Sequence, residues 1–300
     1  MYTIDDPEVA GTDLSPMFGT TFRQQRLMDA HHPGQASWVW LVDTTEGPYI
    51  VRTSRFNEPP LDEDFWQGAW RLFGANPVRF HGMIWADRVL RQSSPIPLPQ
   101  ILRQEVYQNR PYLIMEYLPG FMLESFTHLS KEGLRAFGKA LATIHAMGST
   151  LDSREGEALS FHARTQSVMA YLVDRFYSTE RACRDLWVEI AAHVKNLPHE
   201  DFLSPILLDM DPSQFLTDGR VITALVDTEL YVMAPRHLEL IGLEYLLDAT
   251  AAGPFREGYE AVLPMPQLIP VRHTYRFLLR LLSFQGSVAW DRWMNQPILF

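Results

Sequence analysis

The chain has 300 residues, 46% of them hydrophobic, enough to bury a substantial core either as one large domain or as two lobes, which argues against disorder. Its formal net charge is −10, spread along the chain with no basic tail, which disfavours nucleic acid and anionic membranes as partners and mildly favours a cationic small molecule. Cys183 is the only cysteine, excluding an internal disulfide or a cysteine zinc site, and no run approaches the roughly 18 apolar residues of a membrane span, so a reducing, cytoplasmic setting is expected.

The opening segment, Met1 to Pro16, carries Asp5, Asp6, Glu8 and Asp13 and no apolar run, unlike a signal or transit peptide. The aromatic and β-branched runs Trp38 to Val42 and Tyr49 to Arg52 flank Glu46-Gly47-Pro48 and predict a hairpin. Leu61 to Phe73 and Met83 to Gln92 have helical character. A second hairpin is expected from Ile101 to Val106 and Tyr112 to Tyr117 around Gln108-Asn109-Arg110-Pro111. After Leu118-Pro119-Gly120 the pattern turns helical. Leu134, Phe137, Leu141 and Ile144 recur at three- and four-residue steps on a helix that Ser130 is placed to cap. Val168 to Phe176, Cys183 to Val194 and Tyr275 to Phe284 repeat the helical period, while Phe215-Leu216 and Val221 to Val226 flank Asp218-Gly219 as a third hairpin. Strands, then a Pro-Gly connector, then helices make an α+β fold with two lobes, and a nucleotide is expected in the cleft between them.

The stretch from Leu207 to Leu216, with Asp209, Asp211, Pro212, Ser213 and Gln214, precedes the third hairpin, and Asp227 and Glu229 follow it. Several carboxylates and an amide are thereby brought near the mouth of one hairpin. Phosphoryl transfer needs a carboxylate to orient or deprotonate the acceptor hydroxyl, and oxygen ligands that hold magnesium against the nucleotide phosphates. Asp209, Gln214 and Asp227 supply those residue types in that order.

This region resembles the catalytic segment of the aminoglycoside-phosphotransferase and choline-kinase-like superfamily, roughly H-G-D-x-x-x-x-N, a short hairpin, and an apolar run ending in I-D-W-E. The resemblance implies a two-lobed protein-kinase-like fold, with a nucleotide-binding lobe over residues 1–117 and a helical lobe over 118–300 that holds the catalytic loop and acceptor site. It implies Asp209 as catalytic aspartate, Gln214 and Asp227 as magnesium ligands, and ATP as phosphoryl donor to a small-molecule hydroxyl. By the same likeness Arg52 takes the place of the third-strand lysine, Gly34 and Ser37 belong to the phosphate-covering loop, and Glu116, Tyr117 and Leu118 form the hinge that receives adenine. Pro95 to Pro99 resembles the run before the fourth strand, Leu141 to His145 the end of the first large-lobe helix, and Glu239 an aspartate that braces the catalytic loop.

The departures are chemical. Leu207 and Leu208 stand in place of His-Gly, removing a polar brace; Gln214 replaces asparagine, extending the amide by a methylene; and Arg52 offers a guanidinium where lysine is expected. Glu63 and Asp87 are alternative helix partners for Arg52. The loop from Pro33 to Ser37 has a single glycine, so fewer close backbone contacts to phosphate are available. These departures leave a second expectation standing, a pseudokinase that binds nucleotide or a partner without turnover, and a remoter third, nucleotidyl transfer.

Each residue also has a plainer reading. Asp209 and Asp211 beside Pro212 suit a turn, Asp227 a solvated strand end, and Arg52 a surface ion pair. His31 and His32 suit a loop, His145 the capping or packing of a helix end, and Trp38, Trp40, Trp66 and Trp70 the core or the lobe interface. Ser37, Ser204 and Ser213 lack the G-x-S-x-G setting of a hydrolase nucleophile.

Overall fold

The computed structural model describes residues 7–30, 35–151, 157–198 and 203–300; His31, His32, Pro33 and Gly34 lie outside the described residues. Two short helices, α1 (Pro7–Ala10) and α2 (Ser15–Phe18), precede β1 (Phe22–Leu27). The sequence did not announce β1, because its residues Phe-Arg-Gln-Gln-Arg-Leu carry no apolar alternation; it is a largely exposed edge strand. The first expected hairpin forms from β2 (Ser37–Thr44) and β3 (Gly47–Ser54). Helices α3 (Asp64–Phe73) and α4 (His81–Val89) follow, then the second hairpin, β4 (Ile101–Tyr107) and β5 (Arg110–Glu116). The five strands pair antiparallel in the order β1-β2-β3-β5-β4.

Strand alternation gives this sheet two different faces. Trp38, Trp40, Val42, Val51, Tyr112 and Ile114 lie on one, covered by Val9, Leu14 and Met17. Ile50, Leu113 and Met115 lie on the other, against Phe80 and Met83. Arg52, two residues beyond Ile50 on β3, shares this second face, and that parity aims it at the space between the lobes.

The second half contains β6 (Phe121–Met122), α5 (Lys131–Ala146), α6 (Gly148–Leu151), α7 (Glu157–Phe176), α8 (Arg181–Ala191) and β7 (Ser204–Leu207). There follow β8 (Phe215–Thr217), β9 (Ile222–Leu225), β10 (Tyr231–Ala234), α9 (Arg236–Leu243), α10 (Ala249–Glu260), α11 (Ile269–Leu281) and α12 (Trp290–Met294). Ser130 caps α5 as expected, its Oγ accepting the Gly133 N–H at 3.0 Å. The third hairpin is β8–β9 with β6 at its edge, and β7 pairs antiparallel with β10. β7 is buried at every position, so it shows no period-two signal in sequence. The chain is thus an α+β protein with a small sheet-rich lobe and a larger helical one. One feature crosses that division: Phe56, Trp66, Ala69, Leu72, Ala86, Leu90, Ile96 and Leu98 share the core of the helical half. Among the described residues no helix is long and apolar enough to cross a membrane.

Helices α5 and α10 make the closest packing in the helical lobe. A Cβ on Gly138 would lie 2.0 Å from the Phe255 carbonyl oxygen, and one on Gly258 2.0 Å from that of Arg135. The two backbones therefore touch, which sets His145 of α5 beside Tyr259 of α10, with Nδ1 and the phenol oxygen 2.8 Å apart. Gly138→Ala must push the helices apart, and a loss of about 1–3 kcal/mol is expected, read as a lower urea midpoint with unchanged slope. A midpoint equal to the wild type would mean that this contact does not set the helix spacing.

Candidate active site

The segment between β7 and β8 is held from below. Leu207 and Leu208 are buried in the core, so the loop entry is apolar, as the sequence indicated. Glu239 of α9, itself buried, accepts the Leu207 N–H at 2.7 Å through one carboxylate oxygen and contacts His145 Nε2 at 2.5 Å through the other. His145, expected to cap or pack a helix end, is thus the middle of a Tyr259–His145–Glu239 chain that ends on the loop backbone. The Leu208 N–H donates to the Leu230 carbonyl at 3.0 Å, and the Val226 N–H to that of Gln214 at 2.8 Å, which fixes the loop against the segment carrying Asp227.

Within the loop, Asp211 accepts from the Ser213 N–H at 2.9 Å and caps a short turn over Pro212–Gln214. Gln214 folds back: its amide nitrogen donates to the Asp209 carbonyl at 3.0 Å and its amide oxygen accepts the Asp211 N–H at a long 3.4 Å. That oxygen keeps a second lone pair. Asp209 Oδ1 is buried and has no hydrogen-bond partner. Burial, and then the Asp227 carboxylate, push the Asp209 carboxyl up to about 7.

Arg52 crosses from the sheet to this loop. Its Nη2 donates to Asp227 Oδ2 at 2.7 Å and lies 3.8 Å from Glu229 Oε2. Burial works against the charged guanidinium, but the carboxylates of Asp227 and Glu229 outweigh it and raise its pKa. Glu229 is buried with Oε1 unpartnered; burial raises its pKa, Arg52 opposes that, and Asp227 and Asp209 add to it. The second Asp227 oxygen accepts the Glu229 N–H at 3.2 Å. Neither helix carboxylate meets Arg52. Asp87 accepts from Arg91 Nε at 2.9 Å and the Ile101 N–H at 3.1 Å, and Glu63 sits at the start of α3.

The remaining expected site residues are more dispersed. Ser37, the first residue of β2, is fully buried with its Oγ unpartnered. Gly34, expected beside it in the phosphate loop, lies outside the described residues. Glu116 ends β5 and exchanges hydrogen bonds with Gln100, its N–H donating to the Gln100 carbonyl at 2.9 Å and its carboxylate accepting the Gln100 N–H at 3.2 Å. The backbones of Tyr117 and Leu118, just beyond, make no hydrogen bond among the described residues.

As a donor set, Asp227 with the unpartnered oxygens of Asp209 and Glu229 offers hard oxygen ligands, the chemistry magnesium takes. No three or more His, Cys, Asp or Glu side chains among the described residues form a ready metal cage. A nucleotide-borne magnesium does not need one, since phosphates and water supply most of its shell. The residues therefore fit such an ion through Asp227 first, with the second lone pair of the Gln214 amide oxygen as a further donor.

Beside this cluster opens a cleft of about 1120 Å3 lined by the end of α3, one face of α4, β10 and α7, with Glu229 in its wall. Gly82 lets α4 approach: a Cβ there would sit 1.8 Å from the Glu229 carbonyl oxygen. Trp70, exposed rather than core, lines the cleft. Sequence reading missed this lining, because its residues lie on four elements with no shared motif.

The raised Asp209 carboxyl makes stability depend on pH. The folded state keeps a proton that the unfolded chain releases near pH ~4, so the contribution of Asp209 to stability is fully present below that value and is lost as pH rises through about 7. Urea midpoints of the wild type should drop between pH 5 and 8 more than those of Asp209→Asn; parallel pH profiles for the two would contradict the assignment.

No curated protein matches the chain. Among solved structures, it is similar to the macrolide 2'-phosphotransferase MphH from Brachybacterium faecium, at 15% identity and TM-score 0.61, covering 95% of this chain and 97% of that one. It is also similar to the GDP complex of wild-type aminoglycoside 2'-phosphotransferase-IIIa, at 12% identity and TM-score 0.55, covering 94% and 92%. A spectinomycin phosphotransferase, APH(9)-Ia, in complex with ADP and spectinomycin, aligns at 12% identity and TM-score 0.52, covering 92% and 88%. These likenesses carry the two-lobed kinase-like fold. With the model of the phosphotransferase enzyme family matching residues 30–278, most of the chain, this protein belongs to that family.

Proposed function

We propose that the protein transfers the terminal phosphoryl group of ATP, with magnesium, to a hydroxyl of a small molecule. The observation that carries this reading is the buried, unpartnered Oδ1 of Asp209, whose carboxyl is raised to about 7 by burial and by the neighbouring Asp227 carboxylate. A general base works best with a pKa near the operating pH, and an oxygen already stripped of partners is available to the acceptor proton. Asp209 orients the acceptor hydroxyl and takes its proton as the new phosphate ester forms. Arg52, released from Asp227, turns its guanidinium to the nucleotide phosphates. Asp227, with Gln214 in reserve, holds magnesium, which when bound neutralises charge on the transferring group. The free backbones of Tyr117 and Leu118 support the hinge as the adenine site, with Glu116 at its edge, while Gly34 and Ser37 are proposed for the phosphate loop from the family resemblance alone. The GDP and ADP complexes of the similar structures support nucleotide use. The buried lone Cys183 suits a cytoplasmic enzyme.

A second reading has an observation of its own. Arg52 occupies Asp227, and Gln214 is engaged with its own loop, an arrangement suited to a module that binds nucleotide without turnover.

Titrating ATP with magnesium, and measuring ADP release with a panel of hydroxylated small molecules, separates the two. Asp209→Asn should keep ATP affinity within about threefold yet lower ADP formation by roughly 10²-fold or more. Tight ATP binding by the wild type with no ADP from any acceptor would favour the binding module. In the enzyme, kcat/KM should rise about tenfold per pH unit up to about 7 and then level, since only the deprotonated Asp209 is active. A flat profile would remove Asp209 as base.

A further inference from the structure

The cleft beside Glu229 carries charge opposite to that of the chain as a whole. Its lining includes Arg71, Arg88 and Arg164 against a single carboxylate, that of Glu229, which is itself buried beside Arg52. None of the three arginines has a carboxylate partner among the described residues. They come from three helices, α3, α4 and α7, so no local sequence pattern produced the grouping. Arg71 is held in place: its guanidinium lies 3.7 Å from the Tyr171 ring centroid and 5.9 Å from that of Trp70. The Gln67 amide oxygen accepts its Nε at 2.6 Å in the orientation that satisfies both ends of the amide. Its terminal nitrogens are left for a ligand. Trp70 and Trp85 add flat apolar wall to the same space.

An exposed arginine without a partner is ordinary, but three around one aromatic-lined concavity, in a chain of net charge −10, are not what a solvated surface needs. A guanidinium offers paired donors that match a carboxylate or phosphate, and a planar body packs on indole. A polycation would meet repulsion here. We infer that this cleft receives an anionic acceptor, a hydroxylated small molecule bearing a carboxylate or phosphate on a planar or apolar body, with its anion on Arg71, Arg88 and Arg164 and its hydroxyl towards Glu229 and Asp209. The inference rests on the phosphotransferase reading for the word acceptor. The preference for an anion rests on the cleft alone.

The test uses a matched set of probes on the full chain without nucleotide: 4-hydroxyphenylacetate, its cationic counterpart tyramine, and the polycation kanamycin. Binding is followed by calorimetry and by tryptophan fluorescence. At low salt the acid should bind about tenfold more tightly than the amine, as expected from two or three partly exposed charge contacts. That ratio should fall below about twofold in Arg88→Gln/Arg164→Gln and shrink as salt rises. Tighter binding of tyramine or kanamycin, or an acid preference untouched by the double variant, would overturn the inference. So would a matching loss of ADP affinity in that variant, because the arginines would then serve the nucleotide. Selective, arginine-dependent binding of the acid with no ADP formed from any acceptor would leave the cleft's preference standing and overturn the phosphotransferase reading instead.

Discussion

Two buried carboxyl groups, Asp209 and Glu229, meet the half-buried Asp227, and the arrangement is tolerable because Arg52 crosses from the other lobe to join them. Like charges gathered away from water repel strongly, and a protein relieves that by protonating some and pairing others. Both occur here: Asp209 and Glu229 are pushed towards the protonated state, while Asp227 keeps the ion pair. The same guanidinium therefore ties the sheet to the segment after β9 against which the Asp209 loop is fixed. Removing it would leave uncompensated charge at the centre of the molecule.

The loop that carries Asp209 is supported by substitution rather than by omission. Where the resemblance leads one to expect a histidine and a glycine, Leu207 and Leu208 sit in the core, and a side-chain brace from the loop itself is gone. Glu239 supplies one from below by accepting the Leu207 N–H, and its own orientation is fixed by His145 and Tyr259. A brace acting on the backbone does not depend on which side chain occupies the loop. The close contact of α5 and α10 through glycines then matters beyond stability, because it is what brings His145 and Tyr259 together.

Membership of a phosphotransferase family fixes the fold and narrows the chemistry, but it leaves the acceptor to the local site. Net charge is an average over the surface, and at −10 it mildly favours a cation. A ligand within the cleft meets the nearest side chains instead, and those are arginines and indoles. The scale of the two effects differs as well, since long-range potential is screened within about 8–10 Å at physiological salt.

The sequence by itself determined the three hairpins, the capped helix at Ser130 and the order of Asp209, Gln214 and Asp227, because these depend on turn chemistry, short-range periodicity and spacing along one continuous segment. It missed β1, which is polar, and β7, which is buried on both faces, since neither has an alternating pattern. Only the tertiary structure decided that Arg52 pairs with Asp227 and Glu229 rather than with Glu63 or Asp87, a contact spanning 175 residues. It alone decided that α3 packs into the helical core while Trp70 faces a cleft, and that arginines from three helices converge there. Pairings of that kind are selected by global packing and electrostatics, and no short window of sequence contains both partners.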